Sequence, residues 1–243
     1  MNRKKRGLAI AEQLRVLLYP RRCPFCGDVL GFLTCCQTCQ PELERLKLPR
    51  PRLPESEHCL EYLSGAAAVY KYDGCVQKGI LRMKNAGQCA AAKEVGIWMA
   101  AVIFGCTFRQ QHGIIHIDSR PIMRQFDLVI PVPNNSKKRA YNMPALLAKE
   151  LAWALDIPMR TDLLQKARKT EQQEGKSAKQ RMENMKNSYK VCGSAELEGK
   201  RVLLVDDVIT TGATVSNCAK ALRKAGALDV FAVSIAETQF DGI

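Results

Sequence analysis

The stretch Val202-Leu203-Leu204-Val205-Asp206-Asp207-Val208-Ile209-Thr210-Thr211-Gly212-Ala213-Thr214 decides the fold. Val202 to Val205 is a continuous apolar run, as expected of a strand buried on both faces of a parallel sheet. Two consecutive carboxylates follow, where the strand is expected to leave the core. Thr210-Thr211-Gly212 then turns the chain, and a helix is expected from Ala213 to Lys224. Such a turn gathers backbone N–H groups and the positive end of a helix at one point, where a phosphate is readily held. Gly212 permits close approach or a positive φ, and the threonine hydroxyls add neutral donors. Asp206 and Asp207 are unsuited to a phosphate. They suit a sugar diol one unit away from it. The spacing therefore reads as a ribose 5-phosphate site, with Asp206 and Asp207 on the ribose and Thr210, Thr211, Gly212, Ala213 and Thr214 on the 5-phosphate. An ordinary strand–turn–helix with an Asp cap is the plainer alternative, and thirteen consecutive matching positions argue against it.

Working outward, strand and helix patterns alternate. Ala66 to Tyr72, Asp127 to Pro131 and Val230 to Ile235 read as strands, and Val76 to Lys84, Ala90 to Phe104 and Pro144 to Leu155 as helices. Residues 105–126 follow neither period. Apolar strands alternating with helices predict an α/β fold, a parallel sheet flanked by helices, with ligands beyond the carboxyl ends of the strands. Upstream, Leu8 to Leu18 has helical spacing and ends at Tyr19-Pro20. The Pro-rich run Leu48-Pro49-Arg50-Pro51-Arg52-Leu53-Pro54 excludes helix and central strand alike. The expected organisation is an N-terminal helix and cysteine module over 1–46, a linker over 47–57 and an α/β domain over 58–243.

A length of 243 residues with 47% hydrophobic content fits one full-sized domain and a small module. A formal net charge of +13 predicts a surface that attracts anions: phosphorylated small molecules, nucleic acid or anionic lipid. At 6% aromatics, rows of base-stacking rings are not expected. The basic start Arg3-Lys4-Lys5-Arg6 is followed by a stretch broken by Glu12, Gln13 and Arg15, without a small-residue cleavage site. Ile97 to Phe104 is far too short for a membrane span. A cytoplasmic protein is expected.

Of eleven cysteines, five crowd into the seventeen positions 23–39. Cys23-Pro24-Phe25-Cys26 and Cys36-Gln37-Thr38-Cys39 are two Cys-x-x-Cys knuckles separated by nine residues, a spacing suited to tetrahedral Zn²⁺. Four protein ligands leave no open position, so the site would be structural. Cys35 is an alternative to Cys36, which the spacing favours. A redox pair would require a single Cys-x-x-Cys beside a βαβ unit. Cys59, Cys75, Cys89, Cys106, Cys192 and Cys218 are expected to be mostly buried thiols.

Two further patches are polar and basic. Pro131-Val132-Pro133 ends a strand at the expected ligand edge and precedes Lys137, Lys138, Arg139, Tyr141 and Asn142. Residues 160–190 carry nine Lys or Arg against four Asp or Glu. They read as a lid over a polyanion or as a solvated basic loop.

Taken together, these residues resemble two known groupings. The run from Val202 to Thr214 closely resembles the binding signature for 5-phosphoribosyl-1-pyrophosphate (PRPP) of type I phosphoribosyltransferases. Thr170 and Gln173, Arg181 and Asn184, Pro131-Val132-Pro133, Arg139-Ala140-Tyr141-Asn142, and Tyr70, Tyr72, Gly74 and Lys84 resemble the pattern of the ComF (competence protein F-like) family over about residues 15–238. Ala140 stands where that family usually has glycine, and Asn85 where an aromatic is common. The resemblance implies a type I phosphoribosyltransferase-like domain behind an N-terminal zinc ribbon, with Zn²⁺ on Cys23, Cys26, Cys36 and Cys39. It implies Mg²⁺ bound with PRPP, and pyrophosphate or lid contacts from Lys84, Arg139, Asn142, Thr170, Gln173, Arg181 and Asn184. It also implies a setting in natural competence, with single-stranded DNA and a helicase as partners.

Three functions stay open at this point: phosphoribosyl transfer, PRPP binding without turnover, and accessory contact with incoming DNA. The acceptor, a general base and the oligomeric state have no assigned residue.

Overall fold

The computed structural model describes residues 22–30, 36–55, 58–86, 89–111, 114–121, 125–133, 141–167 and 188–238. The helix expected over Leu8 to Leu18 lies outside them, as do Cys35, Arg139, Thr170, Gln173, Arg181 and Asn184.

In chain order the elements are α1 (Gln40–Leu46), β1 (Gly65–Lys71), α2 (Gly74–Ala86), α3 (Cys89–Phe104), β2 (Thr107–Gln111), β3 (Ile114–Ser119), β4 (Leu128–Pro131), α4 (Met143–Leu155), β5 (Leu164–Lys166), β6 (Tyr189–Val191), β7 (Arg201–Val205), β8 (Val208–Ile209), α5 (Ala213–Lys224) and β9 (Asp229–Glu237). The main sheet runs β1-β9-β7-β4 and is parallel throughout, as the apolar strands predict. β8 continues β7 against β9 without a change of register, from Val205↔Val233 to Val208↔Ala236.

Helices cover both faces. Leu203, Val205 and Val233 pack in one layer with Val76, Ile80 and Met83 of α2, Met99 of α3 and Leu151 of α4. Val202, Leu204 and Ala232 pack in the other with Val215, Cys218 and Leu222 of α5. Residues 105–126, without a clear period in the sequence, contain the antiparallel ribbon β2–β3, seated by Phe108 stacking on Trp153 at 6.2 Å between centroids. That contact joins the ribbon to α4, a partner distant in sequence.

The Pro-rich stretch lies along the outer edge of β1. Leu48 N–H donates to the Val69 carbonyl (2.9 Å), Ala68 N–H to Pro51 (2.8 Å) and Leu53 N–H to Ala66 (2.8 Å). Prolines at 49, 51 and 54 interrupt the pairing, which blunts an edge that would otherwise be open. The cysteine module shares the larger core. Phe25 is 1% exposed and meets Tyr70 edge-on and Trp98 face-on. At Gly79 of α2, any Cβ would lie 2.7 Å from the Phe25 ring, so α2 admits the module only through a glycine.

β4 and β7 are tied at their entry by Asp127, whose carboxylate accepts from Arg201 N–H, Nε and Nη2 at 2.9, 3.1 and 3.1 Å. The guanidinium and the Arg201 backbone N–H hold the Asp127 carboxyl down at about 2. Its folded value lies below its unfolded one, so this contribution to stability is present above the ordinary carboxylate range and lost as pH falls towards 2. Asp127→Asn is therefore expected to lower the urea midpoint modestly at pH 7, with a difference that shrinks towards pH 2. The effect stays small because the pair is partly solvated, its side chains 40% and 31% exposed.

Of the scattered cysteines, Cys75, Cys106 and Cys218 are buried as expected, and Cys89 and Cys192 half-buried. Cys59 is exposed, contrary to that expectation. It sits in a short segment that lies across a surface loop.

Candidate functional site

The carboxyl ends of β4 and β7 open onto a cavity of about 200 Å³ whose walls include Lys84, Val132, Tyr141, Asn142, Asp206, Asp207 and Thr214. Five candidates from three separate stretches of sequence thus meet here: Lys84 at the end of α2, Asn142 ahead of α4, and the acid pair with Thr214 after β7. Asp206 and Asp207 are each 9% exposed. The strand does not leave the core at this pair. Asp206 N–H still donates to the Val233 carbonyl (2.9 Å), and Asp207 accepts from Ile235 N–H (3.1 Å).

What changes is the side-chain alternation. Leu203 and Val205 belong to the α2–α4 layer and Leu204 to the α5 layer, whereas beyond the acids Val208 belongs to the former and Ile209 to the latter. Strict alternation would place them the other way round. The slip of one position falls at Asp206–Asp207, and both carboxylates line one cavity.

The two acids have different environments. Asp207 Oδ1 meets Lys84 Nζ at 2.7 Å, with side chains 12% and 15% exposed. Asp206 Oδ1 accepts from Asp207 N–H at 2.8 Å. Burial, then the neighbouring charge of Asp207, pushes the Asp206 carboxyl well above the ordinary carboxylate range. Burial and the Asp206 charge together raise the Cys218 thiol on α5. The site therefore stores electrostatic cost in an acid that would gain from hydroxyl donors.

The loop after β8 is built as expected. Gly212 is the N-cap of α5 with φ +78, and an added Cβ would lie 2.5 Å from the Cys59 carbonyl oxygen. Only glycine satisfies both constraints. Thr210, Thr211, Ala213 and Thr214 are exposed around the helix N-terminus. Thr211 Oγ1 accepts from Ala213 N–H at 3.3 Å. Asn142 Nδ2 donates to the Val132 carbonyl at 3.1 Å. Its Oδ1 is buried without a hydrogen-bond donor among the described residues.

In the N-terminal module, the Sγ atoms of Cys23, Cys26, Cys36 and Cys39 all lie within 4.8 Å of one another. Tetrahedral coordination at ~2.3 Å requires sulfurs about 3.8 Å apart, so the set fits a metal of that geometry. Phe25 N–H and Asp28 N–H point at the sulfurs of Cys23 and Cys26, each at 3.4 Å. Burial, and hydrogen bonding among the crowded sulfurs, push the Cys26 thiol up to about 12 when no cation is present. Cys36 is the member of the cluster that the spacing favours.

Three features escaped the sequence reading: the Asn142 clip, the Cys59 segment over Gly212, and a buried His58–Glu237 contact behind the loop. The last two join residues far apart in the chain and carry no motif, whereas the clip spans ten positions between two quoted motifs and only its hydrogen bond went unread.

Residues 116–239, just over half of the chain, match the model of the "Phosphoribosyl transferase domain" family. The chain belongs to that family. It is 40% identical over 108 residues to Competence protein F of Haemophilus influenzae, covering 43% of this chain and 47% of that protein. It is 31% identical over 107 residues to the DNA utilization protein YhgH of Escherichia coli K12, covering 43% and 46%. The aligned stretch thus spans about half the length of these curated relatives. Among solved structures, glutamine PRPP amidotransferase from B. subtilis, complexed with ADP and GMP, aligns at 25% identity and a TM-score of 0.38 over 60% of this chain and 26% of that one. The chain is ComF-like in sequence and carries a phosphoribosyltransferase fold with a four-cysteine cluster ahead of it.

Proposed function

We propose that the chain binds PRPP together with Mg²⁺ in the cavity at the end of β7 and transfers its phosphoribosyl group. The observation that carries this reading is the joint placement of Asp206 and Asp207 on one cavity wall with the Thr210–Thr214 turn beside it. The acids accept from the ribose hydroxyls, and the turn takes the 5-phosphate through backbone N–H groups and threonine hydroxyls. Lys84 then faces the side on which pyrophosphate leaves, with Asn142 across the cavity. Arg139, Thr170, Gln173, Arg181 and Asn184 complete the pyrophosphate and lid set by resemblance alone.

In the reaction, a nucleophilic acceptor forms a bond to C1 of the ribose while the bond from C1 to the pyrophosphate oxygen breaks. The chain contributes positioning and neutralises charge on the leaving group. Mg²⁺ suits a cavity lined by carboxylate and amide oxygens, and when bound with PRPP it supplies further neutralisation of the pyrophosphate. The cysteine set holds structural Zn²⁺ in the same reading, the N-terminal module over 1–46 being joined to the domain over 58–243 by the stretch 47–57.

The setting we infer is cytoplasmic and tied to DNA uptake, with single-stranded DNA and a helicase as partners. This rests on the ComF-like sequence and on the names of the two relatives. Among the described residues, no helix is long and apolar enough to cross a membrane. A PRPP-binding regulator without turnover is the nearest alternative, since among the described residues that line the cavity none is assigned as a general base.

Calorimetric titration of PRPP tests the reading. One-to-one binding is expected with Mg²⁺ present, weakened when EDTA replaces the metal. Absence of heat at millimolar PRPP would sink it. Mg²⁺-dependent pyrophosphate release across a panel of amine and base acceptors separates transferase from regulator.

A further inference from the structure

We propose that His58 is a positioning residue for the 5-phosphate loop, acting with Glu237 to pin the segment 58–62 across that loop and the first turns of α5. The inference rests on the ribose 5-phosphate reading above and adds residues outside the motif.

Within five residues the segment makes a succession of contacts to the loop and its helix. Cys59 N–H donates to the Thr211 carbonyl at 2.9 Å. The Cys59 carbonyl lies where a Cβ on Gly212 would stand. Ser216 Oγ donates to the Glu61 carbonyl at 2.7 Å. The Lys220 ammonium sits 5.5 Å from the centre of the Tyr62 ring. Tyr62 itself is left-handed at φ 67, a conformation an aromatic residue adopts only where its surroundings enforce it.

The segment is anchored at one end by a buried polar pair. The His58 side chain is 0% exposed, and its Nε2 lies 3.3 Å from Oε2 of Glu237, which is 3% exposed. The two atoms are at ion-pair distance without the alignment of a hydrogen bond. His58 Nδ1 lies 3.3 Å from the Pro54 carbonyl oxygen. Glu237 pairs in register with Ile209, the residue immediately before Thr210. Thr238 N–H adds a bond to the Ile209 carbonyl at 3.0 Å. The loop is thus flanked on entry by the Glu237 strand end and covered by the segment that His58 holds.

Burying an imidazole against a carboxylate costs desolvation of both, and apolar residues would fill the space at lower cost. What the pair adds is a fixed geometry between β9 and the cover of the loop. A phosphate held by backbone N–H groups depends on such pre-organisation, since each donor must already point at the anion.

The test uses full-length wild type, His58→Ala and His58→Gln, with ribose 5-phosphate as the titrated probe and hydrogen exchange as a ligand-free measurement. His58→Ala is expected to speed exchange in peptides covering 58–62 and 210–214, with the remaining sheet unchanged, and to weaken ribose 5-phosphate by about tenfold. His58→Gln keeps a polar amide that can donate towards Glu237 and is expected to stay within about threefold of wild type. Wild-type exchange at both peptides, or wild-type affinity, in folded His58→Ala overturns the proposal. If His58→Ala does not fold, Ser216→Ala frees only the Glu61 carbonyl. It should speed the same exchange and weaken the probe several-fold, and unchanged values overturn the proposal. A wild type that fails to bind ribose 5-phosphate rejects the ligand reading, and with it the role of His58 towards that ligand, while the exchange data separately show whether the brace exists.

Discussion

Asp206→Asn is expected to weaken PRPP by at least about a hundredfold, since charge-assisted hydrogen bonds to the ribose hydroxyls contribute about 1.5–3 kcal/mol each. The same variant should fold at least as well as wild type. Asparagine has nearly the same volume, and its carbonyl oxygen still accepts from Asp207 N–H, the bond now made at 2.8 Å. It also removes a carboxylate whose ionisation is opposed by burial and by the charge of Asp207.

The sign of the pH dependence follows from that shift. With its folded value raised above the unfolded one, Asp206 binds more protons in the native chain than in the unfolded chain. Its effect on stability therefore worsens as pH climbs from the ordinary carboxylate range towards the raised value. Asp206→Asn should flatten the fall in stability across that window. Lost affinity with retained or improved stability is the signature of a residue kept for binding rather than for folding. PRPP titrations at fixed Mg²⁺, with urea melts at two pH values, provide both readings. Equal affinity in wild type and variant would remove the central assignment. Asp207→Asn is a poorer test, because it strands Lys84 in a site where the ammonium is only 15% exposed.

Much of this site is legible in the sequence because its physics is local. Val202 to Val205 is apolar on every residue since helices cover both faces of the sheet, and the turn at Gly212 needs its glycine for φ +78. Lys84 and Asn142 were placed by resemblance, and the fold brings both to the cavity of the acid pair. What could not be read is everything that depends on a distant partner. The one-position slip at Asp206–Asp207 shows only in which layer Val208 and Ile209 join. His58 and Glu237 are 179 positions apart, and neither has a neighbour in sequence that announces the other. The Pro-rich run resembles a linker by composition, yet its carbonyls and N–H groups pair with β1 between the prolines. Cys59 looked like one more buried thiol because composition does not reveal that its segment rides over a loop.

If the four cysteines hold zinc as proposed, its removal is expected to have the largest effect on the fold. Four thiols within 4.8 Å of one another share a core with Phe25, and that core continues into α2 through the seat at Gly79. Structural zinc contributes about 10–16 kcal/mol in small zinc-dependent peptides, the same order as the whole stability of a domain. Even ~4 kcal/mol of that would lower the melting temperature by on the order of 10 °C at this size. Cys36→Ser should therefore release the metal and melt at least that much lower, and chelation of wild type should reproduce the loss.

The damage should reach the ligand cavity as well. Phe25 packs on the helix that carries Lys84, and Lys84 meets Asp207 at 2.7 Å. Zinc-depleted protein that remains folded is expected to bind PRPP more weakly, with affinity restored by Zn²⁺ and not by Mg²⁺ alone. Metal content by mass spectrometry, melting curves and PRPP titration on the same samples measure the three effects. Protein purified with less than stoichiometric metal, melting unchanged after chelation, would show that the four cysteines pack as thiols and that α2 is held without a metal.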